Sequence, residues 1–210
     1  MTYSVVALSG DGSRLGVAAA SRSLAVGAAV PALAPGVGAV VTQAYTNQRF
    51  RALGLQLLRE GLEPAEVIAR LARVDEQFDR RQVGVVDAHG RTAAWTGPAC
   101  TAWAGAFEGE GYVVLGNFLA GPAVVGGMRR AMDDGPADPL PARLLSALEA
   151  AQAAGGDSRG QQSAVLRVVS NAAEDVWPPL SEVDLRVDDH PEPLPGLRSM
   201  LAALPGPTMS

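Results

Sequence analysis

The sequence predicts an α+β fold in which two packed sheets lie between helical layers. The segments with strand character are almost continuously apolar, as in strands that are covered on both faces. The segments with helical spacing come in pairs, which favours this arrangement over a singly alternating parallel sheet. The 210 residues show 48% apolar content and neither an internal repeat nor a linker, so we expect one domain over residues 1–204 and a frayed tail at 205–210.

The first 44 residues are expected to form strands. Thr2–Leu8 has strand composition, Ser9-Gly10-Asp11-Gly12 is typical of a hairpin loop, and Leu15–Ala20 would be the partner strand. Two further apolar segments, separated by a stretch rich in proline and glycine, predict strands at Leu24–Val30 and Val37–Gln43.

A helical pair follows, and then a second set of strands. Leucines recur at helical spacing before Gly61, which is placed for a left-handed C-terminal cap, and Pro64 suits the first turn of the next helix. The strands are predicted at Gln82–Val86, Arg91–Thr96, Thr101–Phe107 and Tyr112–Leu115.

The last third of the chain is expected to repeat this order. One helix follows Pro122, and a second opens at Asp138-Pro139 and ends at Gly155-Gly156. Two closing strands are predicted at Ser163–Val169 and Val183–Val187, with a loop between them at Asn171–Ser181. A terminal helix is predicted at Leu194–Leu204.

Composition excludes several classes of function. The net charge is −5 and all 17 cationic residues are arginine, without a long basic cluster, so we expect no nucleic-acid partner. The single cysteine, Cys100, excludes an intrachain disulfide framework and is interpreted as a small buried side chain rather than a nucleophile. We find neither a signal peptide nor a long apolar run, which favours a cytoplasmic protein without a membrane partner.

Thr2 is the first candidate for catalysis. A small second residue permits removal of Met1, and the new terminus would carry a hydroxyl nucleophile and an α-amine on one residue. Because an α-amine has a pKa of about 7.7–8.0, it can accept the hydroxyl proton near neutral pH. The alternative is that Thr2 only begins a strand, for which threonine is well suited.

The densest cluster of glycine and polar residues is Gly155–Ala164. Asp157 and Arg159 could clamp an amine and a carboxylate, and the backbone at Gly156 could approach a ligand closely. The alternative is a helix C-cap with a structural ion pair.

Two other segments supply candidate polar groups. Asn117, between a strand and a helix, could supply an oxyanion hole or simply cap a turn. Gln43 and Asn47 follow a predicted buried strand and would line either a substrate pocket or a helix start.

Asp188, Asp189 and His190 could ligate a metal, but adjacent residues rarely share one side of a strand, so we expect no metal and no cofactor.

Several motifs together resemble one family, an uncharacterised bacterial and archaeal domain family assigned to the Ntn-hydrolase-like fold. The resemblance spans residues 2 to about 204 and is carried by Thr2–Ala7, Leu24–Gly27, Thr42–Ala44, Arg81–Gly84, Gly155–Ala164 and Leu185–His190. It implies a four-layer αββα sandwich. Ntn hydrolases cleave amide bonds with an N-terminal Thr, Ser or Cys, a position that Thr2 matches.

The resemblance also shows a difference. Proteasome-type members place a lysine beside the threonine, and this chain contains no lysine, so Arg22, Arg81 or Arg159 would have to be the nearby cation. The leading hypothesis is an amidohydrolase that acts on a small polar amide with Thr2 as nucleophile. The alternative is a non-catalytic domain that binds a small molecule or a partner. In either case a homodimer is expected.

Overall fold

The structure of the chain is a computed structural model that describes residues 2–135, 138–172 and 180–205. The described residues form ten strands: β1 Thr2–Leu8, β2 Arg14–Ser21, β3 Pro31–Ala34, β4 Gly38–Ala44, β5 Arg81–Asp87, β6 Thr92–Thr96, β7 Gly105–Gly109, β8 Tyr112–Gly116, β9 Ser163–Ser170 and β10 Ser181–Val187. They also form six α-helices: α1 Val26–Ala29, α2 Arg49–Arg59, α3 Pro64–Arg73, α4 Pro122–Asp134, α5 Leu140–Ala153 and α6 Pro193–Ala203.

The strands form two antiparallel sheets, which confirms a mixed α+β architecture. The first has six strands in the order β10-β9-β2-β1-β8-β7, and the second has four in the order β3-β4-β5-β6. In the first sheet Thr2 pairs with Ser21 of β2, and Tyr3 pairs with Gly116 of β8. In the second sheet Gln43 pairs with Gln82.

Alternate residues of β1 belong to different apolar clusters. Tyr3, Val5 and Ala7 share a cluster with side chains of α4, α5 and α6. Val6 instead shares a cluster with Val41 of β4 and with residues of β2, β8 and β9. Because side chains alternate along a strand, Thr2 and Ser4 lie on the same face of β1 as Val6. A third cluster joins β4 and β5 to α2 and α3.

The segment predicted as a strand at Leu24–Val30 is not a strand, and this prediction was wrong. Val26–Ala29 is a short helix, and β3 begins only at Pro31. Ala25 has a left-handed φ of 49°, and the Val26 N–H donates to the Ser163 hydroxyl at 2.9 Å. A serine distant in sequence therefore satisfies the first N–H of the helix, which a local pattern does not reveal.

The strand predicted at Thr101–Phe107 begins four residues late, at Gly105. The Thr101 and Trp103 carbonyls accept hydrogen bonds from the N–H groups of Phe118 and Leu119, which lie beyond the end of β8. Residues 101–104 therefore bond to an irregular segment rather than to a neighbouring strand.

The paired helices begin where their sequence signals predicted. Pro64 occupies the first turn of α3, where Glu63 and Glu66 form a capping box, and Gly61 has a φ of 90° after α2. Most of the loop predicted at Asn171–Ser181, including Trp177, and the tail beyond Pro205 lie outside the described residues. No described helix has the length and apolar content that crossing a membrane requires.

Candidate functional site

Buried polar side chains gather at one end of the space between β1 and the four-stranded sheet. They come from β1, β2, β4, β5 and the segment after β8, and each is at most 4% exposed: Thr2, Ser4, Ser21, Gln43, Gln82 and Asn117. The strand register explains the gathering, because Thr2 pairs with Ser21 and Gln43 pairs with Gln82. Polar groups removed from water require partners, so this cluster is an internal hydrogen-bond network.

Gln82 is the centre of this network. Its Oε1 accepts from Gln43 Nε2 at 2.8 Å and from Asn117 Nδ2 at 2.9 Å. Its Nε2 lies within hydrogen-bonding distance of three acceptors: Thr96 Oγ1 at 2.9 Å, the Gly116 carbonyl at 2.9 Å and the Gly105 carbonyl at 3.1 Å. One amide therefore connects the second sheet to β7 and β8 of the first.

Thr2 is held by its backbone on one side and its hydroxyl on the other. Its carbonyl accepts from Gln43 Nε2 and from the Asn117 backbone N–H, both at 3.2 Å, and from Asn117 Nδ2 at 3.5 Å. Its hydroxyl donates to Ser21 Oγ at 3.2 Å. The Ser4 hydroxyl donates to Gln43 Oε1 at 2.6 Å, which fixes the orientation of that amide.

Asn117 has one unused acceptor in this network. Its Nδ2 donates to Gln82 and, over the long distance of 3.5 Å, to Thr2. Its Oδ1 is buried and receives no hydrogen bond from any residue that the structure describes. An unfilled buried acceptor next to Thr2 is a place where an additional N–H or O–H donor would be stabilised.

The Gly155–Ala164 segment lies beside this network rather than in it. Asp157 forms a β-bridge with Leu119, and its Oδ1 accepts from the Arg159 N–H at 2.8 Å. The Arg159 Nε lies 3.6 Å from the same oxygen, and its guanidinium lies 4.9 Å from the centre of the Phe118 ring. The second oxygen, Oδ2, is buried and lacks a hydrogen-bond partner within the described ranges. Gly156, with a φ of 51°, accepts from the Ala120 N–H.

Tyr3 links this segment to β1 on the opposite face from Thr2. Its hydroxyl donates to Gln152 at 3.2 Å and accepts from Gln161, which also donates to Gln152 at 2.7 Å. Burial raises the pKa of the Tyr3 phenol above its ordinary value, while the hydrogen bond from Gln161 acts in the opposite direction. Tyr3 is therefore a neutral structural group at physiological pH.

Asn47 belongs to a separate buried ion pair. Its Nδ2 donates to Asp75 Oδ2 at 2.7 Å, and Arg81 Nε donates to the same oxygen at 2.9 Å. The side chains of Arg81 and Asp75 are only 8% and 7% exposed. Arg81 also donates to the Tyr45 carbonyl and lies 4.9 Å from the centre of the Tyr45 ring.

The three candidate cations each have partners other than Thr2. Arg22 donates to Gln162 at 2.9 Å, Arg81 pairs with Asp75, and Arg159 lies beside Asp157. Over residues 2–135, 138–172 and 180–205, no hydrogen bond or ion pair joins any of them to Thr2. The groups that contact Thr2 are neutral amides and a hydroxyl.

The remaining candidates occupy structural positions. The Cys100 thiol donates to the Arg81 carbonyl at 3.4 Å, and burial raises its pKa above the ordinary value. Asp189 accepts from Gln162 at 3.0 Å, and His190 Nδ1 accepts from the Glu192 N–H at 3.0 Å. In the part of the chain that is described, no three His, Cys, Asp or Glu side chains lie close enough to hold a metal ion.

The structure therefore brings Thr2, Gln43 and Asn117 into direct contact and leaves Asn47 with Asp75. Asp157, Gly156 and Arg159 form the adjacent loop. Sequence reasoning missed Ser4, Ser21 and Gln82. A signal exists for Ser4 and Gln82. Thr2 and Ser4 alternate with Tyr3 and Val5 on β1, and Gln82 follows Arg81 at the polar start of the otherwise apolar first part of β5.

Comparison with known proteins identifies a family. The model of a family of unknown function, DUF1028, matches residues 2–197. A crystal structure of a Silicibacter pomeroyi protein, also described as DUF1028, is similar with a TM-score of 0.86 and 31% identity, over 98% of this chain and 87% of that chain.

More distant structures are also similar. Anbu, the ancestral beta-subunit from Yersinia bercovieri, has a TM-score of 0.43 and 15% identity, over 99% of this chain and 100% of that chain. An Anbu mutant from Hyphomicrobium sp. strain MC1 has a TM-score of 0.44 and 12% identity, over 98% of this chain and 99% of that chain. Among curated proteins, none matches.

Proposed function

The chain belongs to the DUF1028 family of unknown function, and from the network around Thr2 we propose that it is an N-terminal-nucleophile amidohydrolase that acts on a small polar amide. The single observation that carries the proposal is that Thr2, at the start of a central strand, is 4% exposed and is held by Ser21, Gln43 and Asn117. These contacts hold the first residue of β1 in one position among buried polar groups, as a nucleophile requires.

The proposal includes the four-layer αββα arrangement of Ntn hydrolases. Three apolar clusters support it. One lies between the six-stranded sheet and α4 to α6, one contains residues of both sheets, and one lies between the four-stranded sheet and α2 and α3. In this arrangement Thr2 opens onto the space between the two sheets, where its Ser4, Gln43 and Gln82 neighbours also lie.

The reaction begins after Met1 has been removed. The neutral α-amine of Thr2 accepts the proton of Oγ1, and Oγ1 attacks the carbonyl carbon of the substrate amide. The tetrahedral oxyanion then collapses, the C–N bond breaks, and the leaving amine takes the proton from the α-ammonium. A water molecule, deprotonated by the same amine, attacks the Thr2 ester, whose C–Oγ1 bond breaks to release a carboxylic acid while Oγ1 regains a proton.

Asn117 serves this reaction with both the nitrogen, Nδ2, and the oxygen, Oδ1, of its side-chain amide. The Nδ2 bond to the Thr2 carbonyl is 3.5 Å long and therefore weak, so that this N–H can turn to the oxyanion. The buried Oδ1, which has no donor among the described residues, can accept from the α-ammonium. Gln82 fixes the position of the side chain through the 2.9 Å bond to Nδ2.

The adjacent loop orients the substrate. Asp157 holds Arg159 through a 2.8 Å bond to its backbone N–H and a 3.6 Å approach to its Nε. Because the Arg159 side chain is about half exposed, its remaining N–H groups can bind a substrate carboxylate. Gly156, with a φ of 51°, gives the turn that carries Asp157 and Arg159 its conformation. Gln43 supports the Thr2 carbonyl from the opposite side.

Two substitutions at one position test the proposal. Purified wild-type protein, Thr2→Ser and Thr2→Ala are compared against a panel of N-acyl amino acids and amino-acid amides. We expect hydrolysis by wild type, weaker hydrolysis by Thr2→Ser, and a loss of at least about 10³-fold in Thr2→Ala. Equal hydrolysis by wild type and Thr2→Ala would overturn the proposal. Saturable binding without hydrolysis by any of the three would instead favour a non-catalytic binding domain.

A further inference from the structure

A cleft of about 680 Å³ lies at the other end of β1 from Thr2. Leu8, the last residue of β1, lines it, and six residue steps of about 3.4 Å place it roughly 20 Å from Thr2 along the strand. Its volume lies within the range of about 300–1,000 Å³ that small-molecule sites occupy. It is therefore separate from the proposed hydrolytic site.

Hydrogen bonds hold the turns that form the walls of this cleft. The Leu8 N–H donates to the Gly111 carbonyl at 2.8 Å, which joins the end of β1 to the β7–β8 turn. Asn171 Nδ2 donates to the Gly12 carbonyl at 2.9 Å and to the Ala88 carbonyl at 3.0 Å. These two bonds connect the β1–β2 loop to the β5–β6 turn. The cleft is thus preformed rather than an accidental gap between loose loops.

Arg143 of α5 lines the cleft and is an incompletely paired buried cation. It is 8% exposed, and its Nη2 donates to the Met132 carbonyl at 2.7 Å. Within the described ranges its Nε has no acceptor, and no carboxylate lies within 4.0 Å of its guanidinium. Asp133, on the same wall, is already occupied by Arg129 at 3.2 Å and by the Tyr112 hydroxyl. Because a buried charge without a counter-ion is costly, an anionic group is missing from this wall.

The rest of the cleft carries the opposite charge. Asp11 and Glu110 lie on the β1–β2 loop and the β7–β8 turn, and both are exposed. Hydrogen bonds from Ser9 and Ser13 lower the pKa of Asp11 to about 2, so this group is ionised at neutral pH. A simple anion would be repelled by these two carboxylates, and a simple cation would be repelled by Arg143. A ligand that carries both a negative and a positive group would pair with Arg143 and with the two carboxylates at the same time.

We propose that this cleft binds a small zwitterion with an α-amino-acid unit, its carboxylate at Arg143 and its ammonium group toward Glu110 and Asp11. The assignment is independent of Thr2 chemistry, since no residue of the Thr2 network lines the cleft. His89 and Gly90 of the β5–β6 turn also line the cleft.

Matched ligands test both charges of the proposal. Thermal unfolding and calorimetric titration are carried out with the common L-amino acids, with the amide of each amino acid that binds, and with the corresponding 2-hydroxy acid. At saturation we expect a rise in Tm of about 5 °C for at least one amino acid. The amide lacks the carboxylate and the hydroxy acid lacks the ammonium group, so each should bind at least about 10-fold more weakly.

Two variants locate the site, and a third is the control. Arg143→Met should abolish amino-acid binding. Glu110→Gln, on an exposed turn that tolerates substitution, should weaken amino-acid binding about 5-fold and leave 2-hydroxy-acid binding unweakened. Glu76→Gln, exposed and remote from the cleft, should change neither. The proposal is overturned if no amino acid shifts Tm at millimolar concentration, or if Glu110→Gln binds amino acids as wild type does. Because Glu110→Gln is informative alone, a folding defect in Arg143→Met leaves the test intact.

Discussion

Gln43 and Gln82 face each other across β4 and β5, with Gln43 Nε2 2.8 Å from Gln82 Oε1, and this buried amide pair is the link between Thr2 and the second sheet. Gln43 reaches the Thr2 carbonyl, while Gln82 reaches Asn117 and the carbonyls of Gly105 and Gly116. The position of the candidate nucleophile is therefore set by side-chain amides from the opposite sheet as well as by the strand that contains it.

Replacing Gln82 by leucine is expected to destabilise the protein by about 3 kcal/mol. The substitution keeps the approximate volume but leaves the amide donors of Gln43 and Asn117 buried without their acceptor. Urea unfolding at neutral pH measures the change. The matched control is Gln56→Leu on the exposed face of α2, which should stay within about 0.5 kcal/mol of wild type. Equal stabilities of the two variants would show that the network contributes little.

Asp75→Asn should cost about 3 kcal/mol at pH 7 because it leaves the buried Arg81 guanidinium without its counter-ion. Burial raises the pKa of Asp75, but hydrogen bonds from Arg81, Asn47 and the Gln77 N–H outweigh it and hold that pKa below its ordinary value. A lowered folded-state pKa gives a contribution that is present above the ordinary pKa and is lost as the pH falls through the folded-state pKa.

The stability difference between wild type and Asp75→Asn is therefore expected to be constant from pH 7 to about pH 5 and to shrink at lower pH. Denaturant unfolding at several pH values measures it. Asp79→Asn, at an exposed carboxylate, is the control and should show no comparable difference. A difference between wild type and Asp75→Asn that grew on acidification would contradict the assigned ion pair.

Gly97→Ala tests the close packing beside Arg81. A Cβ at Gly97 would lie 2.0 Å from the Asp79 carbonyl oxygen, which belongs to the backbone and has little freedom to move. We expect a loss of about 2 kcal/mol in the free energy of unfolding. Gly10→Ala is the matched control, since a Cβ there meets nothing within 4 Å. Thermal and urea unfolding of both variants provide the comparison.

The Cys100 thiol should react slowly with alkylating reagents in the folded protein. Burial raises its pKa, so at pH 8 the thiolate fraction is below that of a free cysteine, and partial burial limits access. The rate of iodoacetamide labelling is measured against pH, with the urea-unfolded protein as control. Folded protein that is labelled as fast as unfolded protein at pH 8 would contradict this assignment.

Most of the fold could be predicted from the sequence because its signals are local. The β1–β2 hairpin follows from two apolar segments around Ser9–Gly12, and α3 follows from Pro64 and its capping residues. The strand predicted at Leu24–Val30 failed because Ser163, distant in sequence, supplies the first hydrogen bond of α1. Local composition does not contain such a partner.

The candidate site was predictable only in part. Thr2, Gln43 and Asn117 could be selected because each is a polar residue at the end of an apolar strand. Their contact, and the central position of Gln82, depend on the packing of two sheets, which a pattern of residues does not determine. Asn47 was selected by the same reasoning but does not join the Thr2 network. Its side chain donates to Asp75, which lies in the loop after α3.

The proposed hydrolysis requires that Thr2 becomes a free N-terminal residue and acts as the nucleophile. The most direct test is peptide-mapping mass spectrometry of the purified protein after treatment with a β-lactone, a strained ester that acylates reactive hydroxyl groups. We predict that the first peptide begins at Thr2 and carries one acyl group on that residue. A first peptide that retains Met1, or an acyl group confined to other residues, would contradict this role of Thr2.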